Sequence, residues 1–209
     1  MKIILASNSP RRKELLHQIF DEFDVIKSNF NEDEVKEKEP EKLVQILSLK
    51  KAEEVFDRIQ DKENELLVIG GDTLVYFDKE ILGKPKDEKD AFNTLKKLQG
   101  NKNEVYSAFT IILKEDNKII KETFLTKSIV TMKHMSDEEI QEYIKTGEPM
   151  DKAGSYAVQG IGSKFIEKIE GSYSSVVGLD IEKLKETILG TVPLLFRMET
   201  KGDCPESWD

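Results

Sequence analysis

The stretch Ile3-Ile4-Leu5-Ala6-Ser7-Asn8-Ser9-Pro10-Arg11-Arg12 sets the start of the fold. Its first four residues form an apolar run that is typical of a short buried strand. Ser9 is a good N-cap and Pro10 fits the first position of a helix, so we expect a helix to begin there. The junction would present free backbone N–H groups and the positive end of the helix dipole, a ready site for an anion.

Two arginines lie in the first turn of this expected helix. Cations are disfavoured at a helix start, so Arg11 and Arg12 are unusual if helix stability is their only role. A bound phosphate would reverse the sign of that effect, and a guanidinium group can hold two phosphate oxygens at once. The alternative is a surface helix with two solvated arginines. The segment favours phosphate binding.

The composition describes an acidic globular chain of 209 residues with a net charge of -9. That length suffices for one large domain, or for one domain with two lobes. The acidic balance argues against nucleic-acid binding and against an anionic membrane surface, so an anionic substrate would need a local basic pocket. Cys204 is the single cysteine, which excludes an internal disulfide. With no apolar run of membrane length and no signal peptide, we expect a cytoplasmic protein.

Hydrophobic periodicity predicts alternating strands and helices, followed by long paired strands. Strands are expected at residues 3–6, 23–26, 66–71, 73–77, 81–82, 105–113, 118–132, 164–169 and 172–177. Helices are expected from residue 10, with residues 15, 16 and 19 on one face, and over residues 40–56, 87–100, 136–147 and 180–190. This order indicates an α/β fold with a mixed sheet.

Carboxylates that could serve chemistry lie at two places in the chain. Asp72 is expected where a buried strand ends, after two glycines that let a ligand or metal approach the backbone. A carboxylate at such a strand end can hold Mg²⁺ or take a proton from water, but it can also be a turn aspartate that caps its own backbone. In the acidic loop, Glu32, Asp33 or Glu34 could supply a second carboxylate, or all three could simply be solvated.

Three further side chains are candidates for binding. Lys51 lies within the apolar face of the second helix, so it either snorkels to solvent or points into a site. Lys84 precedes a proline that restricts its backbone, although it could be an ordinary exposed lysine. Gln159 could read a base edge with its amide, or it could hold a loop together.

Five ordered motifs resemble those of the Maf family. They are ASNSPRRKELL at 6–16, GDT at 71–73, LGKP at 82–85, DKAGSY at 151–156 and QG at 159–160. Residues 171–179, GSYSSVVGL, resemble the closing motif of the family. The resemblance extends over residues 2–196.

The resemblance implies a fold and an activity. The fold would be an elongated, twisted mixed sheet flanked by helices, with two lobes and a central cleft, similar to inosine triphosphatases. Residues 1–196 would form one domain, residues 197–209 a polar tail, and two copies a homodimer. The activity would be cleavage of a nucleoside triphosphate to the monophosphate and pyrophosphate, with a divalent cation, Mg²⁺ or Mn²⁺, as cofactor.

The resemblance also implies roles for matched residues. Asp72 would be the proton acceptor and a metal ligand, and Glu32 would assist it in both roles. The phosphates would be bound by Ser7, Ser9, Arg11, Arg12, Lys51 and Lys84, of which the two lysines would also act in catalysis. Arg11, Thr73 and Gln159 match the specificity positions of the branch that hydrolyses dTTP and UTP, and the branch acting on 7-methyl-GTP differs there.

Two other functions stay open from the sequence. The chain could be a purine-type pyrophosphatase acting on ITP or XTP, which a comparison of UTP, dTTP and ITP would reveal. It could also be a non-catalytic nucleotide-binding regulator of cell division, which pyrophosphate release with Mg²⁺ or Mn²⁺ would exclude. The physiological substrate, a normal or a modified pyrimidine nucleotide, is open as well.

Overall fold

A computed structural model describes residues 1–116 and 118–191 of the chain. Asn117 and residues 192–209, which include Cys204, lie outside the described residues. The single domain over 1–196 with a tail after it therefore stays a prediction. Within the part that the structure describes, no helix combines the length and apolar character needed to cross a membrane.

One mixed sheet of seven strands forms the centre of the molecule. Its strands are β1 (Lys2–Ala6), β2 (Asp24–Val25), β3 (Glu65–Phe77), β4 (Glu80–Leu82), β5 (Lys102–Glu115), β6 (Lys118–Met132) and β7 (Ile166–Glu170). The order across the sheet is β2-β1-β3-β5-β6-β7, and β4 pairs with the far end of β3. β1 runs parallel to β2 and β3, whereas the other pairs are antiparallel.

Helices cover both faces of this sheet. They are α1 (Pro10–Leu16), α2 (Pro40–Ile59), α3 (Glu88–Leu98), α4 (Asp137–Lys145), α5 (Tyr173–Val177) and α6 (Ile181–Thr191). Short 3₁₀ turns lie at Glu32–Glu34, Gln60–Lys62, Glu148–Asp151, Ala153–Ser155 and Gly160–Phe165. These elements confirm the α/β class, with a mixed sheet flanked by helices.

The alternation of side chains along β3 divides the core into two layers. Leu67 and Ile69 belong to the large core that the helices α1, α3, α4, α5 and α6 share. Leu66 and Val68 face the other way and pack against α2 through residues such as Phe56. The helix α2 thus covers one face of the sheet, which places its side chains beside the middle of β3.

The expectation that a strand ends at Asp72 was wrong. β3 continues to Phe77, and Asp72 lies in its middle, opposite Ala108 of β5. Gly70 does not interrupt the strand: it makes room for α2, because a Cβ there would lie 2.7 Å from the carbonyl oxygen of Ser48. A Cβ on Gly71 would lie 3.2 Å from Nε of Arg12, so the second glycine makes room for that side chain.

The expectation of a strand over residues 172–177 was also wrong, because this segment forms α5. The Ser172 hydroxyl caps the helix by accepting a hydrogen bond from the N–H of Ser175 at 3.1 Å. Gly178 ends it with a φ of 143°. The cap and the glycine therefore override the strand propensity of the two valines between them. The expected apolar face of the first helix is also shorter than predicted. The helix α1 ends at Leu16, so residue 19 lies beyond it.

Candidate active site

A cleft with a volume of about 1000 Å³ opens beside the middle of β3. Its walls come from the β1–α1 junction, α2, β3, the loop after β4, the segment 148–160 and the end of α5. All ten site residues proposed from the sequence line it: Ser7, Ser9, Arg11, Arg12, Glu32, Lys51, Asp72, Thr73, Lys84 and Gln159. The fold thus brings together residues that are up to 152 positions apart in the chain, counted from 159 - 7 = 152.

One end of the cleft holds two carboxylates on a single ammonium group, which we call the carboxylate end (Asp72, Lys51 and Glu32). The Nζ of Lys51 lies 2.6 Å from Oδ1 of Asp72 and 2.9 Å from Oε1 of Glu32. The side chain of Lys51 is 15% exposed, so it points into the cleft and does not snorkel. Asp72 is nearly buried, while Glu32 reaches in from the exposed acidic loop.

Of the three carboxylates in the acidic loop, Glu32 is the one that contacts Lys51. Asn31 caps the short turn Glu32–Glu34 by accepting a hydrogen bond from the N–H of Asp33 at 3.2 Å. Glu34 in turn accepts a hydrogen bond from the Asn31 side chain. This turn fixes which carboxylate faces the cleft, a choice that the sequence pattern left open.

The surroundings of Asp72 favour a proton acceptor. Burial raises the pKa of the Asp72 carboxyl above its ordinary value, although the charges of Lys51 and Arg12 oppose this effect. A carboxylate with a raised pKa takes a proton from water more readily than a solvated one. The environment is therefore compatible with a general base.

The carboxylate end also fits a divalent cation that is shared with a substrate. No group of three or more metal-binding side chains occurs among the described residues. Mg²⁺ is commonly held by one or two carboxylates together with substrate phosphates and water. Asp72 and Glu32 supply two carboxylates that already converge on one positive charge, so the donor set has the right chemistry.

A second cluster lies beside the carboxylate end, and we call it the Arg12 hub (Arg12, Ser7, Thr73 and Gly178). Nε of Arg12 donates to the carbonyl oxygen of Gly178 at 2.8 Å. Nη1 donates to Oγ of Ser7 at 3.2 Å, and Nη2 donates to Oγ1 of Thr73 at 3.1 Å. Burial lowers the pKa of the Arg12 guanidinium. The hub therefore joins the β1–α1 junction, β3 and the end of α5 through a single side chain.

The hub occupies hydroxyl groups that the sequence assigned to the substrate. Thr73 Oγ1 accepts from Arg12 and also lies 3.1 Å from Oγ of Ser107 on β5. Ser7 Oγ accepts from Arg12 and from the N–H of Ser9 at 3.2 Å. Ser9 caps α1, as expected, by accepting from the N–H of Arg12 at 3.4 Å. These hydroxyls shape the floor of the cleft.

The remaining proposed residues are more open to the cleft. Nη1 of Arg11 lies 3.7 Å from Oδ2 of Asp151, and its side chain is 28% exposed. Lys84 and Gln159 are exposed and line the cleft from the loop after β4 and from the segment before Gly160. Sequence reasoning missed Asp151 as the partner of Arg11, although its place in the motif DKAGSY was a usable signal.

A family model described as "Maf-like protein" matches residues 2–190 of the chain. The chain belongs to the Maf family. The match spans the whole described part of the sequence except its two ends, so every residue that lines the cleft lies within it.

Curated members of the Maf family are similar to this chain over most of its length. A protein of Clostridium beijerinckii named dTTP/UTP pyrophosphatase is 48% identical over 186 residues, which cover 88% of this chain and 96% of the relative. A protein of Clostridium botulinum with the same name is 47% identical over 186 residues, again covering 88% and 96%. A third, from Caldicellulosiruptor saccharolyticus, is 47% identical and covers 88% and 91%.

A solved structure of a nucleoside-triphosphatase, named dITP/XTP pyrophosphatase, from Mycobacterium abscessus is a distant structural match. It shares 12% sequence identity with a TM-score of 0.36, covering 97% of this chain and 100% of that chain.

Proposed function

We propose that this Maf family protein is a nucleoside triphosphate pyrophosphatase that hydrolyses dTTP and UTP to the monophosphate and pyrophosphate. The names of relatives at 46–48% identity support this substrate class. The observation that carries the proposal is the cleft itself, in which Arg11, Arg12 and Lys84 line the same cavity as the carboxylate end. Separated cations that meet opposite a carboxylate suit a triphosphate better than they suit a neutral ligand.

Asp72 is the proton acceptor in the proposed reaction. Water attacks the α-phosphorus, the new P–O bond forms, and the bond from that phosphorus to the bridging oxygen of the β-phosphate breaks. Asp72 takes the proton that the water loses, and pyrophosphate leaves with the bridging oxygen. Lys51 holds Oδ1 of Asp72 and Oε1 of Glu32 in place, which leaves the second oxygen of each carboxylate for the reaction.

Asp72 and Glu32 are the residues that would hold Mg²⁺ or Mn²⁺. The bound cation would neutralise charge on the phosphates and make the attacking water more acidic. Lys51, Arg11 and Lys84 add positive charge around the pyrophosphate, where charge grows as the bond breaks. Arg12 acts from the floor of the cleft and has two of its five N–H donors left for phosphate after the hub is formed.

Recognition of the base falls to the more open wall of the cleft. Gln159 carries an amide that can donate and accept at once, which matches the carbonyl and N–H edge of uracil or thymine. Thr73, whose hydroxyl is held in the hub, acts by shaping the floor of the cleft. Arg11 binds phosphate in this scheme and exchanges its ion pair with Asp151 for the substrate.

A substrate panel tests this function. Purified protein with Mg²⁺ or Mn²⁺ is given UTP, dTTP, CTP and ITP, and the release of pyrophosphate is measured. We expect UTP and dTTP to give the highest kcat/KM, and no turnover after chelation of the metal. A preference for ITP would indicate the purine-type activity instead, and release from none of them would indicate a non-catalytic nucleotide-binding protein.

A homodimer and a cytoplasmic location stay predictions.

A further inference from the structure

The wall of the cleft that carries Gln159 is the segment 157–162, and side chains from outside it hold both of its flanks. On the first flank, the hydroxyl of Tyr143 accepts a hydrogen bond from the N–H of Ala157 at 3.1 Å. On the second, Glu148 accepts hydrogen bonds from the N–H groups of Ile161 at 3.0 Å and Gly162 at 2.8 Å. Gln159 lies between these two points of attachment.

Two glycines let these side chains come close to the backbone of the segment. A Cβ on Gly160, which has a φ of 64°, would lie 2.3 Å from Oε1 of Glu148. A Cβ on Gly162 would lie 2.3 Å from the hydroxyl oxygen of Tyr143. The two glycines therefore pack closely against the two polar side chains. Gly160 directly follows Gln159 in the chain.

The hydroxyl of Tyr143 also lies near the carboxylate of Glu148 and affects its pKa. Burial alone would raise the pKa of Glu148, but the nearby Tyr143 hydroxyl and the hydrogen bonds from the N–H groups of Gly162 and Ile161 outweigh it and lower that pKa. Tyr143 is buried at 1% exposure. Although Glu148 lines the cleft, both of its oxygens accept from the segment 157–162, so its carboxylate is engaged away from a substrate.

We propose that Glu148 and Tyr143 are positioning residues for base selection. Together they fix the backbone on both sides of Gln159 so that its amide meets the imide edge of a uracil or thymine base. The inference rests on the proposed function, in which Gln159 contacts the base. In this arrangement α4 and the turn after it determine which nucleotide is preferred, while other elements bind the phosphates.

The substitution Glu148→Gln tests this role. It keeps the shape of the side chain but turns one of its two acceptors into a donor, which then faces a backbone N–H group. We expect kcat/KM for UTP, and its ratio to kcat/KM for ITP, to fall about tenfold, the effect of losing one hydrogen bond to the base. The inhibition constant of inorganic tripolyphosphate against UTP should stay unchanged, because it reports only the phosphate contacts.

Tyr143→Phe provides a second test, because it removes the hydroxyl that accepts the hydrogen bond from the N–H of Ala157. We expect it to lower the UTP to ITP ratio in the same direction. Glu139→Gln is the matched control: Glu139 also lies on α4 and accepts a backbone N–H, in the capping box with Ser136. This control should lower the stability of α4 but leave the ratio unchanged.

The possible outcomes distinguish a failure of this inference from a failure of the proposed pyrophosphatase function. Folded Glu148→Gln and Tyr143→Phe variants that keep the wild-type ratio would overturn the inference. So would a rise in the tripolyphosphate inhibition constant equal to the rise in KM for UTP, because it would mean a general disturbance of the cleft. A wild-type protein that releases pyrophosphate from no nucleotide would instead overturn the proposed function itself.

Discussion

The carboxylate end and the Arg12 hub lie side by side in one cleft, but they use their charges in opposite ways. At the carboxylate end, two carboxylates share the ammonium of Lys51, and Glu32 remains half exposed. In the hub, the half-buried guanidinium of Arg12 donates three hydrogen bonds to neutral oxygens of the protein. From this difference we expect changes at the carboxylate end to affect mainly turnover, and changes in the hub to affect the stability of the fold in addition to phosphate binding.

The largest effect should come from Asp72→Asn. The variant keeps the shape of the side chain but cannot accept a proton, so we expect kcat to fall by roughly 10²–10⁴-fold. Binding of a non-hydrolysable UTP analogue, measured by calorimetry without metal, should change far less. Asp137→Asn is the control, since it removes a carboxylate paired with a lysine on the surface. Near-normal turnover by Asp72→Asn would contradict the role of the carboxylate end.

Arg12→Lys should have the largest effect on stability. A lysine has one nitrogen and cannot reach Gly178, Ser7 and Thr73 together, so at least two of these acceptors each lose a hydrogen bond from a charged donor. We expect a loss of about 2–4 kcal/mol in the free energy of unfolding, measured by denaturant titration. Arg11→Lys is the matched control at the neighbouring position and should change it little. Equal stabilities of the two variants would remove the distinction between the hub and the rest of the cleft.

Arg11→Gln should affect binding more than stability. Its ion pair with Asp151 spans 3.7 Å and is partly exposed, so its loss should cost less than about 1 kcal/mol of stability. If Arg11 binds phosphate, KM for UTP should rise about tenfold or more, with a smaller effect on kcat. Asp151→Asn removes the same ion pair but keeps the guanidinium. A rise in KM of the same size in both variants would argue that Arg11 acts through its protein partner.

The sequence predicted which residues line this cleft better than it predicted the contacts that they make. Some element starts follow from short-range signals, such as the N-cap Ser9 and the proline after it at the start of α1, and the structure confirms that start. The path of β3 beyond Asp72 depends on pairing with β5, which a local pattern does not contain. Arg11 and Arg12 are adjacent and chemically identical, and they differ because one side chain meets Gly178, a contact 166 positions away in sequence.

The same limit applies to the loops that face the cleft. Three neighbouring carboxylates were equivalent in sequence, and the Asn31 cap selects Glu32 by turning the loop. Two other contacts also join separate elements. Arg11 pairs with Asp151, and Glu148 accepts hydrogen bonds from the segment 157–162. Composition and periodicity describe neither of them, since both depend on how separate elements pack.

The smallest predicted effect is a gain in the stability of the fold at neutral pH when Asp72 is replaced by Asn. Burial raises the pKa of Asp72 above that of the unfolded chain. The native state then binds more protons than the unfolded state between the two pKa values, so stability from Asp72 is complete below about pH 3.9 and is lost as the pH rises through the native pKa.

Asp72→Asn has no such titration, so it should unfold at a higher temperature than the wild type at pH 7. The difference should shrink as the pH is lowered through the native pKa of Asp72, and it should reach its minimum below about pH 3.9, where Asp72 is protonated in both states. Thermal unfolding of both proteins across that range measures this, with Asp137→Asn as the control for a surface carboxylate. A variant that is less stable than the wild type at pH 7 would mean that the ion pair with Lys51 outweighs burial. The carboxylate end would then stabilise the fold as the hub does, and the contrast between the two clusters would rest on turnover alone.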